Sequence, residues 1–164
     1  MKQPCYCGSQ RPFSQCCEPY LVGERLAPTA ESLMRSRYSA FCQGNIDYLL
    51  ATHHPDYRLP DDRTGLKRSV KSTRWQNLLV ISKQKGQGRD NTGVVEFVAA
   101  YQSVGSILSA QPIGPLQQMH ERSQFIKKDD QWLYTEGTML PPYQPKRSEG
   151  CWCGSGKKYK QCHG

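Results

Sequence analysis

Long apolar stretches are scarce in this 164-residue sequence, whose mean hydropathy is -0.72. No run approaches the roughly 20 apolar residues that a membrane-spanning helix needs. The opening residues, Met1 to Cys5, also lack the apolar core of a secretory signal peptide. We therefore expect a cytoplasmic protein without a transmembrane segment.

Dense basic runs are missing as well. No stretch of Lys and Arg is longer than two residues, although 22 basic and 14 acidic residues give a formal net charge of +8. Thiolate ligands of a bound metal would lower that charge further. This positive charge is smaller and more dispersed than the charge of a protein dedicated to nucleic-acid binding. It suits an acidic protein partner or an anionic lipid surface.

The eight cysteines are the most informative residues, because all but Cys42 fall into two short clusters with one spacing. In each cluster two cysteines flank one residue, eight residues intervene, and two adjacent ligands follow, with an offset of 146 residues between the copies. A Gly-Ser pair follows the second cysteine in both copies. The predicted ligands are Cys5, Cys7, Cys16 and Cys17 in the first copy and Cys151, Cys153, Cys162 and His163 in the second.

These two ligand sets predict two metal sites. Cytosolic thiols are kept reduced, which argues against a disulfide framework, and a disulfide between the neighbours Cys16 and Cys17 would be strained. Tetrahedral thiolate and imidazole ligation is typical of zinc, while iron, copper or redox chemistry of unliganded thiols are the alternatives. Because four protein ligands leave no position for water, both zinc sites should be structural.

Between the clusters the hydrophobic period changes from helical to extended. A first helix is predicted after Thr29 and should stop at Gly44; a second is capped by Asn45 and ends before Pro55; a third lies between Asp62 and Lys71. Four β-branched or aromatic runs then predict antiparallel strands at Leu78 to Ser82, Val94 to Tyr101, Gln124 to Lys127 and Trp132 to Thr135.

Helices followed by antiparallel strands indicate an α+β domain with a curved sheet around the helices. Residues 110–116 contain two prolines and a glycine and are predicted to form a loop. A proline-rich spacer precedes the second cluster. We therefore divide the chain into a zinc module at 1–22, an α+β domain at 23–145 and a second zinc module at 146–164.

Five single residues carry further expectations. Ser9 is predicted to cap a short helix in the first module, and Phe13 to pack that module onto the rest of the protein. Cys42 is interpreted as a small core residue. His53 and His54 are expected near a helix end, where imidazolium would meet the carbonyl dipole.

The repeated Cys-x-Cys-Gly-Ser pattern ending in Cys-Cys or Cys-His resembles the SEC-C zinc motif, best known from the C-terminal tail of the SecA translocation ATPase. Together with Leu33 to Phe41, Glu121 to Phe125, Trp132 and Gly137, the chain resembles the bacterial YchJ family. The resemblance covers essentially the whole chain. It implies a nuclear transport factor 2-like (cystatin-like) middle domain flanked by two SEC-C modules.

The resemblance also implies a class of partner. The SecA motif binds zinc and contacts the acidic chaperone SecB and anionic lipid, so an adaptor protein that binds SecB or another secretion or translation component is the leading hypothesis. The first copy has Arg11, Pro12 and Ser14 where the second has lysines. The predicted partner-binding residues are therefore Lys157, Lys158, Tyr159 and Lys160, with a merely solvated basic face as the alternative.

The alternative function is small-molecule binding or catalysis in the middle domain, since related folds open a pocket at the wide end of the cone. No nucleophile and base combination is recognisable, which argues against an enzyme. His120 and Arg122 should share one sheet face and Glu121 the other; a buried Arg-Glu pair bracing helix against sheet would also explain the charges. The candidate pocket residues are Arg35, Arg37, Tyr38, Trp75, His120, Glu121, Arg122 and Tyr134.

Overall fold

The computed structural model describes residues 3–105 and 112–164. The helices are α1 (Glu18–Leu21), α2 (Ala30–Gln43), α3 (Ile46–Ala51) and α4 (Asp62–Ser72). The strands are β1 (Thr73–Lys85), β2 (Thr92–Val104), β3 (Pro112–Lys128) and β4 (Gln131–Met139). Short 3-10 turns lie at Phe13–Gln15, Pro55–Tyr57 and Tyr159–Gln161. Within these residues no helix combines the length and apolar character needed to cross a membrane.

The three predicted helices are present as α2, α3 and α4, while the short α1 was not predicted. The Thr29 side chain accepts the backbone N–H of Ser32 at the start of α2, and the helix ends at Gly44, whose φ is +72°. The Asn45 side chain accepts the N–H of Tyr48 and starts α3. These local hydrogen bonds fix α2 and α3 as separate elements, so that the chain can turn between them.

The four strands form one antiparallel sheet in the order β1-β2-β3-β4, and each contains the predicted segment but extends beyond it. The loop predicted at 110–116 is wrong from Pro112 onward, because Val104 pairs with Pro112 and Ser103 with Ile113. β4 pairs with β3 only from Glu121 onward, so prolines before that point lie on an open strand edge. Residues 110 and 111 lie outside the described part.

Both faces of the sheet are covered, as alternation along β2 shows. Phe97 and Ala99 belong to the main core with Leu33 and Met34 of α2, while Val98 and Ala100 pack with Cys151 and Trp152 of the second module. This is the predicted α+β arrangement of a sheet around helices. The C-terminal module occupies the sheet face that α2 does not.

Candidate functional sites

The four predicted ligands of the first cluster converge. The Sγ atoms of Cys5, Cys7, Cys16 and Cys17 all lie within 4.8 Å of one another. Cys7 and Cys16 are 3.7 Å apart, and Cys16 and Cys17 are 4.0 Å apart. Tetrahedral thiolates at the usual zinc–sulfur length would be about 3.8 Å apart. The donor set and its spacing therefore fit a four-coordinate metal ion.

The second cluster has the same geometry. The ligand atoms of Cys151, Cys153, Cys162 and His163 also lie within 4.8 Å of one another. Cys153 and Cys162 are 3.5 Å apart, and His163 Nδ1 is 3.2 Å from Cys151 Sγ. Both clusters could hold a metal ion, as the spacing predicts.

The two modules are built alike at the backbone level. Gly8 and Gly154 turn the chain after the second cysteine with φ of +73° and +80°, values that favour glycine. Cys5 N–H donates to Arg11 carbonyl at 2.8 Å, and Cys151 N–H donates to Lys157 carbonyl at 2.9 Å. A 3-10 turn then presents the last two ligands in each copy. The sequence repeat is therefore a structural repeat.

Ser9 does not cap the turn, contrary to the prediction. The turn starts after Pro12 without a side-chain cap. The Ser9 hydroxyl instead lies 3.2 Å from Cys16 Sγ, and Ser155 lies 3.4 Å from Cys162 Sγ. These hydroxyls can donate to a ligating thiolate, which is the usual second layer of a metal site.

The Sγ atoms of the first cluster lie within the range of sulfur hydrogen bonds, so that two thiols can share a proton. Hydrogen bonds with Cys17 and Cys5 hold the pKa of Cys7 far below its ordinary value, while hydrogen bonding to Cys5 raises the pKa of Cys17. In the second cluster burial raises the pKa of Cys151 to about 11. A divalent cation would replace these shared protons, because metal binding requires thiolates.

The first module is part of the protein core. Cys7 and Cys17 are 0% and 1% exposed, and Phe13 is buried in the main hydrophobic cluster, as predicted. Arg35 donates to the Cys7 carbonyl at 2.9 Å and pairs with Glu31. Arg35 is thus a brace between α2 and this module, which places it away from the pocket proposed from the sequence.

The second module lies on the surface of the sheet. Trp152 is buried against Val98 and Ala100, and Asn77 of β1 donates to the Trp152 carbonyl at 2.9 Å. In contrast to the first module, Cys162 and His163 are exposed. The ring of His163 rests on Trp152 with 4.5 Å between centroids. One end of this module is anchored, and the end that carries Cys162 and His163 faces solvent.

The predicted partner-binding residues surround that exposed end. Lys157, Lys158 and Lys160 are exposed, and across the described ranges none of them forms an ion pair. Tyr159 is half-buried and packs at the edge of the Trp152 cluster. The lysines are available to a partner, while the tyrosine also supports the module.

A separate cavity of about 290 Å³ lies between α2, α4 and the inner face of the sheet. Five of the candidate pocket residues line it: Arg37, Tyr38, Trp75, Glu121 and Tyr134. His120 and Arg122 do not, since both project to the outer face and bind Glu96 at 3.0 Å. The expected alternation of His120, Glu121 and Arg122 is confirmed. The prediction that all three residues line one pocket is wrong.

Sequence reasoning missed most of the apolar lining. Met34 and Phe41 line the cavity together with Arg37 and Tyr38, and the four recur at the three- and four-residue spacing of one helix face. Met119 lines it from β3, two residues before Glu121. The helical period could have identified Met34 and Phe41 from Arg37 and Tyr38, and the strand period could have identified Met119 from Glu121.

Arg37 is a buried cation without a carboxylate partner in the described residues. Its Nη1 donates to the Leu49 carbonyl and the Thr52 hydroxyl, both at 2.7 Å, and its guanidinium lies 4.7 Å from the Tyr134 ring centroid. Burial lowers the pKa of Arg37 to about 10, so it stays charged at neutral pH. The expected Arg-Glu brace is wrong, because Arg37 ties α2 to α3.

Glu121 faces the same cavity. It is 8% exposed and accepts a hydrogen bond from the Ser123 hydroxyl at 2.5 Å. Burial raises the pKa of Glu121, with the Ser123 hydrogen bond and the charge of Arg37 acting against that rise. Its protonated form is therefore favoured more than in an exposed carboxyl.

The two adjacent histidines follow the end of α3, as predicted, but their rings contact other parts of the chain. His53 Nδ1 lies 3.2 Å from Asp62 and Nε2 lies 3.2 Å from the Thr135 carbonyl, while burial and the charge of Arg37 lower the pKa of His53. His54 Nδ1 accepts the N–H of Asp56. Both rings therefore tie loops together, and in the part of the chain that the structure describes neither ring is hydrogen-bonded to a carbonyl of α3.

Cys42 is half-buried beside the main core, and burial raises the pKa of its thiol to about 12. A thiol with such a pKa stays protonated and unreactive. This agrees with its interpretation as a packing residue.

Family models match the chain in all three of its parts. The YchJ middle NTF2-like domain matches residues 29–137, and the SEC-C motif matches residues 1–19 and 147–164. These matches cover the α2-to-β4 body and both cysteine clusters. SEC-C is a metal-binding motif, which agrees with the ligand geometry.

Relatives match over the full length. A UPF0225 protein of Serratia proteamaculans is 42% identical over 100% of this chain and 99% of its own length, and one of Geobacter sulfurreducens is 39% identical with the same coverage. A solution structure of a SEC-C motif protein from Rhodopseudomonas palustris is 32% identical with a TM-score of 0.72, covering 85% of this chain and 100% of its own. A crystal structure of a SEC-C motif protein from Psychrobacter arcticus is 28% identical with a TM-score of 0.64, covering 98% and 94%. The chain therefore belongs to the YchJ family, and its NTF2-like domain is flanked by a SEC-C motif at each end.

Proposed function

We propose that this protein is a cytoplasmic, zinc-stabilised binding protein of the adaptor type, whose C-terminal module presents a basic surface to an acidic partner such as a SecB-like chaperone. The observation that carries the proposal is the contrast between the two modules. The first is buried in the core. The second is anchored by Trp152 and leaves its lysines exposed.

Zinc is the metal proposed for both sites. Three or four thiolates with at most one imidazole form a soft, tetrahedral donor set, which zinc fills without redox chemistry. Four protein ligands complete the coordination sphere, so the ion supplies rigidity and not catalysis. Because a module of about 15 residues cannot bury a core of its own, metal binding would supply most of its folding free energy.

An acidic surface is the partner chemistry that the second module fits. Exposed lysines on a rigid support lose little conformational freedom of the backbone when a partner docks. Their attraction acts over about 10 Å at moderate salt and should weaken as salt is added. An anionic membrane surface offers the same charge, so vesicles are the necessary comparison.

The test is titration of the zinc-loaded full chain with purified SecB by isothermal calorimetry. A triple charge reversal at Lys157, Lys158 and Lys160 to Glu should weaken binding about tenfold or more, equivalent to about 1.4 kcal/mol. A matched reversal of Lys67, Arg68 and Lys71, which are exposed on α4, should leave the affinity unchanged.

Raising the salt from 50 to 300 mM should weaken binding by the wild type more than binding by the triple variant. If both reversals weaken binding equally, or if deletion of 146–164 leaves binding intact, the adaptor proposal is wrong. Binding to vesicles containing phosphatidylglycerol without binding to SecB would reassign the surface to lipid.

The second candidate function is small-molecule binding. The cavity that Arg37 lines supports it.

A further inference from the structure

The cavity inside the NTF2-like body is large enough for a ligand. Its volume of about 290 Å³ is close to twice that of an apolar protein cavity that binds benzene. A molecule of about a dozen non-hydrogen atoms is therefore the size that fits. α4 forms one wall through Leu66 and Ser69, which are half-buried.

The lining favours a flat apolar body. Phe41, Phe97 and Phe125 contribute aromatic rings, and Met34 and Met119 contribute thioethers. Aromatic rings stack on or edge against other rings, and methionine adapts to their outline. An aromatic ring system would pack against these side chains more favourably than a polyhydroxylated chain would.

The polar groups of the cavity favour a ligand that carries a hydrogen-bond acceptor. Arg37 uses only Nη1 for its two hydrogen bonds, and in residues 3–105 and 112–164 its remaining N–H groups have no partner. Trp75 also lines the cavity, and its buried indole N–H has no partner in the same part of the chain. A buried guanidinium is best satisfied by a carboxylate, which accepts two parallel hydrogen bonds.

The other charges in the cavity do not neutralise Arg37 at contact distance. Asp62 pairs with His53, and Glu121 accepts from Ser123. Burial also favours the protonated form of Glu121. The cavity therefore holds one buried guanidinium, and neither of the two carboxyl groups in its lining, Asp62 and Glu121, is hydrogen-bonded to it in the described residues.

We propose that this cavity binds a small aromatic carboxylic acid, with its ring among the phenylalanine and methionine side chains and its carboxylate on Arg37. This site is independent of the C-terminal module. The proposal therefore stands or falls separately from the adaptor function.

The probe is 2-naphthoate, with 2-naphthamide as a neutral ligand of the same shape. Both are titrated into zinc-loaded full-length protein at pH 7 while the three tryptophan indole N–H resonances are followed by ¹H–¹⁵N NMR. The Trp75 resonance, assigned by its loss in Trp75→Phe, should shift with saturation. Trp132 is the internal control, because its indole N–H already donates to the Pro28 carbonyl.

Naphthoate should bind at least tenfold more tightly than naphthamide. Glu121→Gln removes the competing carboxylate while keeping a group that can accept from Ser123, and it should tighten naphthoate binding severalfold without changing naphthamide binding. Equal affinity for the two probes, no shift of the Trp75 resonance at millimolar naphthoate, or weaker naphthoate binding by Glu121→Gln would each overturn the proposal.

Discussion

Substitution of Gly154 by Ala should detach the second module from the sheet. Gly154 has φ of +80°, where a β-carbon costs about 1 to 2 kcal/mol. That β-carbon would also lie 2.7 Å from Asn77 Cγ and 3.0 Å from Asn77 Cβ, so rotating the Asn77 side chain cannot relieve the whole contact. Displaced Asn77 would lose its 2.9 Å hydrogen bond to the Trp152 carbonyl.

The loss of that half-buried hydrogen bond adds about 1 to 3 kcal/mol. Gly156 supplies the matched control, because its φ is +75° but nothing lies within 4 Å of an added β-carbon. Gly156→Ala should therefore show the backbone strain alone. For a chain of this size about 1 kcal/mol lowers the unfolding temperature by about 2 to 4 °C, so Gly154→Ala should unfold about 5 °C below Gly156→Ala.

The assay is thermal unfolding of zinc-loaded protein followed by circular dichroism, in a cycle with Asn77→Ala. In the Asn77→Ala background the clash at Asn77 Cγ is gone, and Gly154→Ala should cost little more than Gly156→Ala does. Equal unfolding temperatures for the two alanine variants in the wild-type background would refute the reasoning that Asn77 clamps this module to β1.

Two further predictions concern the metal sites and the cavity. Cys7→Ser and Cys153→Ser, at matched positions of the repeat, should each reduce the bound zinc from two ions to one, as measured by elemental analysis. NMR shift changes should reach α2 only in Cys7→Ser, because Arg35 of α2 contacts the Cys7 carbonyl. Changes in α2 for both variants would contradict the separate placement of the modules. Because burial raises the pKa of Glu121 above its ordinary 4.5, the stability gained from its protonated form is complete below pH 4.5 and is lost as pH rises through the folded-state pKa. Glu121→Gln should therefore raise the unfolding temperature more at pH 8 than at pH 5.5, and a gain that does not depend on pH would show that the carboxyl is not perturbed.

Local spacing was enough to identify the two clusters that could hold a metal ion and the starts of α2 and α3. Cys5 and Cys7 converge with Cys16 and Cys17 because a glycine turn and a 3-10 turn, both encoded within 13 residues, set their positions. Thr29 caps α2 by a hydrogen bond to a residue three positions away. Such contacts do not depend on the rest of the fold, and sequence patterns therefore predict them.

The start of β3 could not be predicted in the same way. Prolines and a glycine in 112–116 indicate a loop by local propensity. They are tolerated in a strand because β4 pairs with β3 only from Glu121 onward. Where a neighbouring strand ends is a property of the assembled sheet.

The sequence by itself determined that the chain carries two equivalent four-ligand clusters on an α+β body, because ligand type, spacing and hydrophobic period are local. Only the tertiary structure decided that the first cluster lies in the main core, whereas Cys162 and His163 of the second are exposed. It also decided which segments pack against the two sides of α2, so that Arg35 contacts the first module and Arg37 faces the cavity. Residues two positions apart on a helix do not share a face. Burial and pairing depend on which distant segments meet, and those contacts are set by packing across the whole domain.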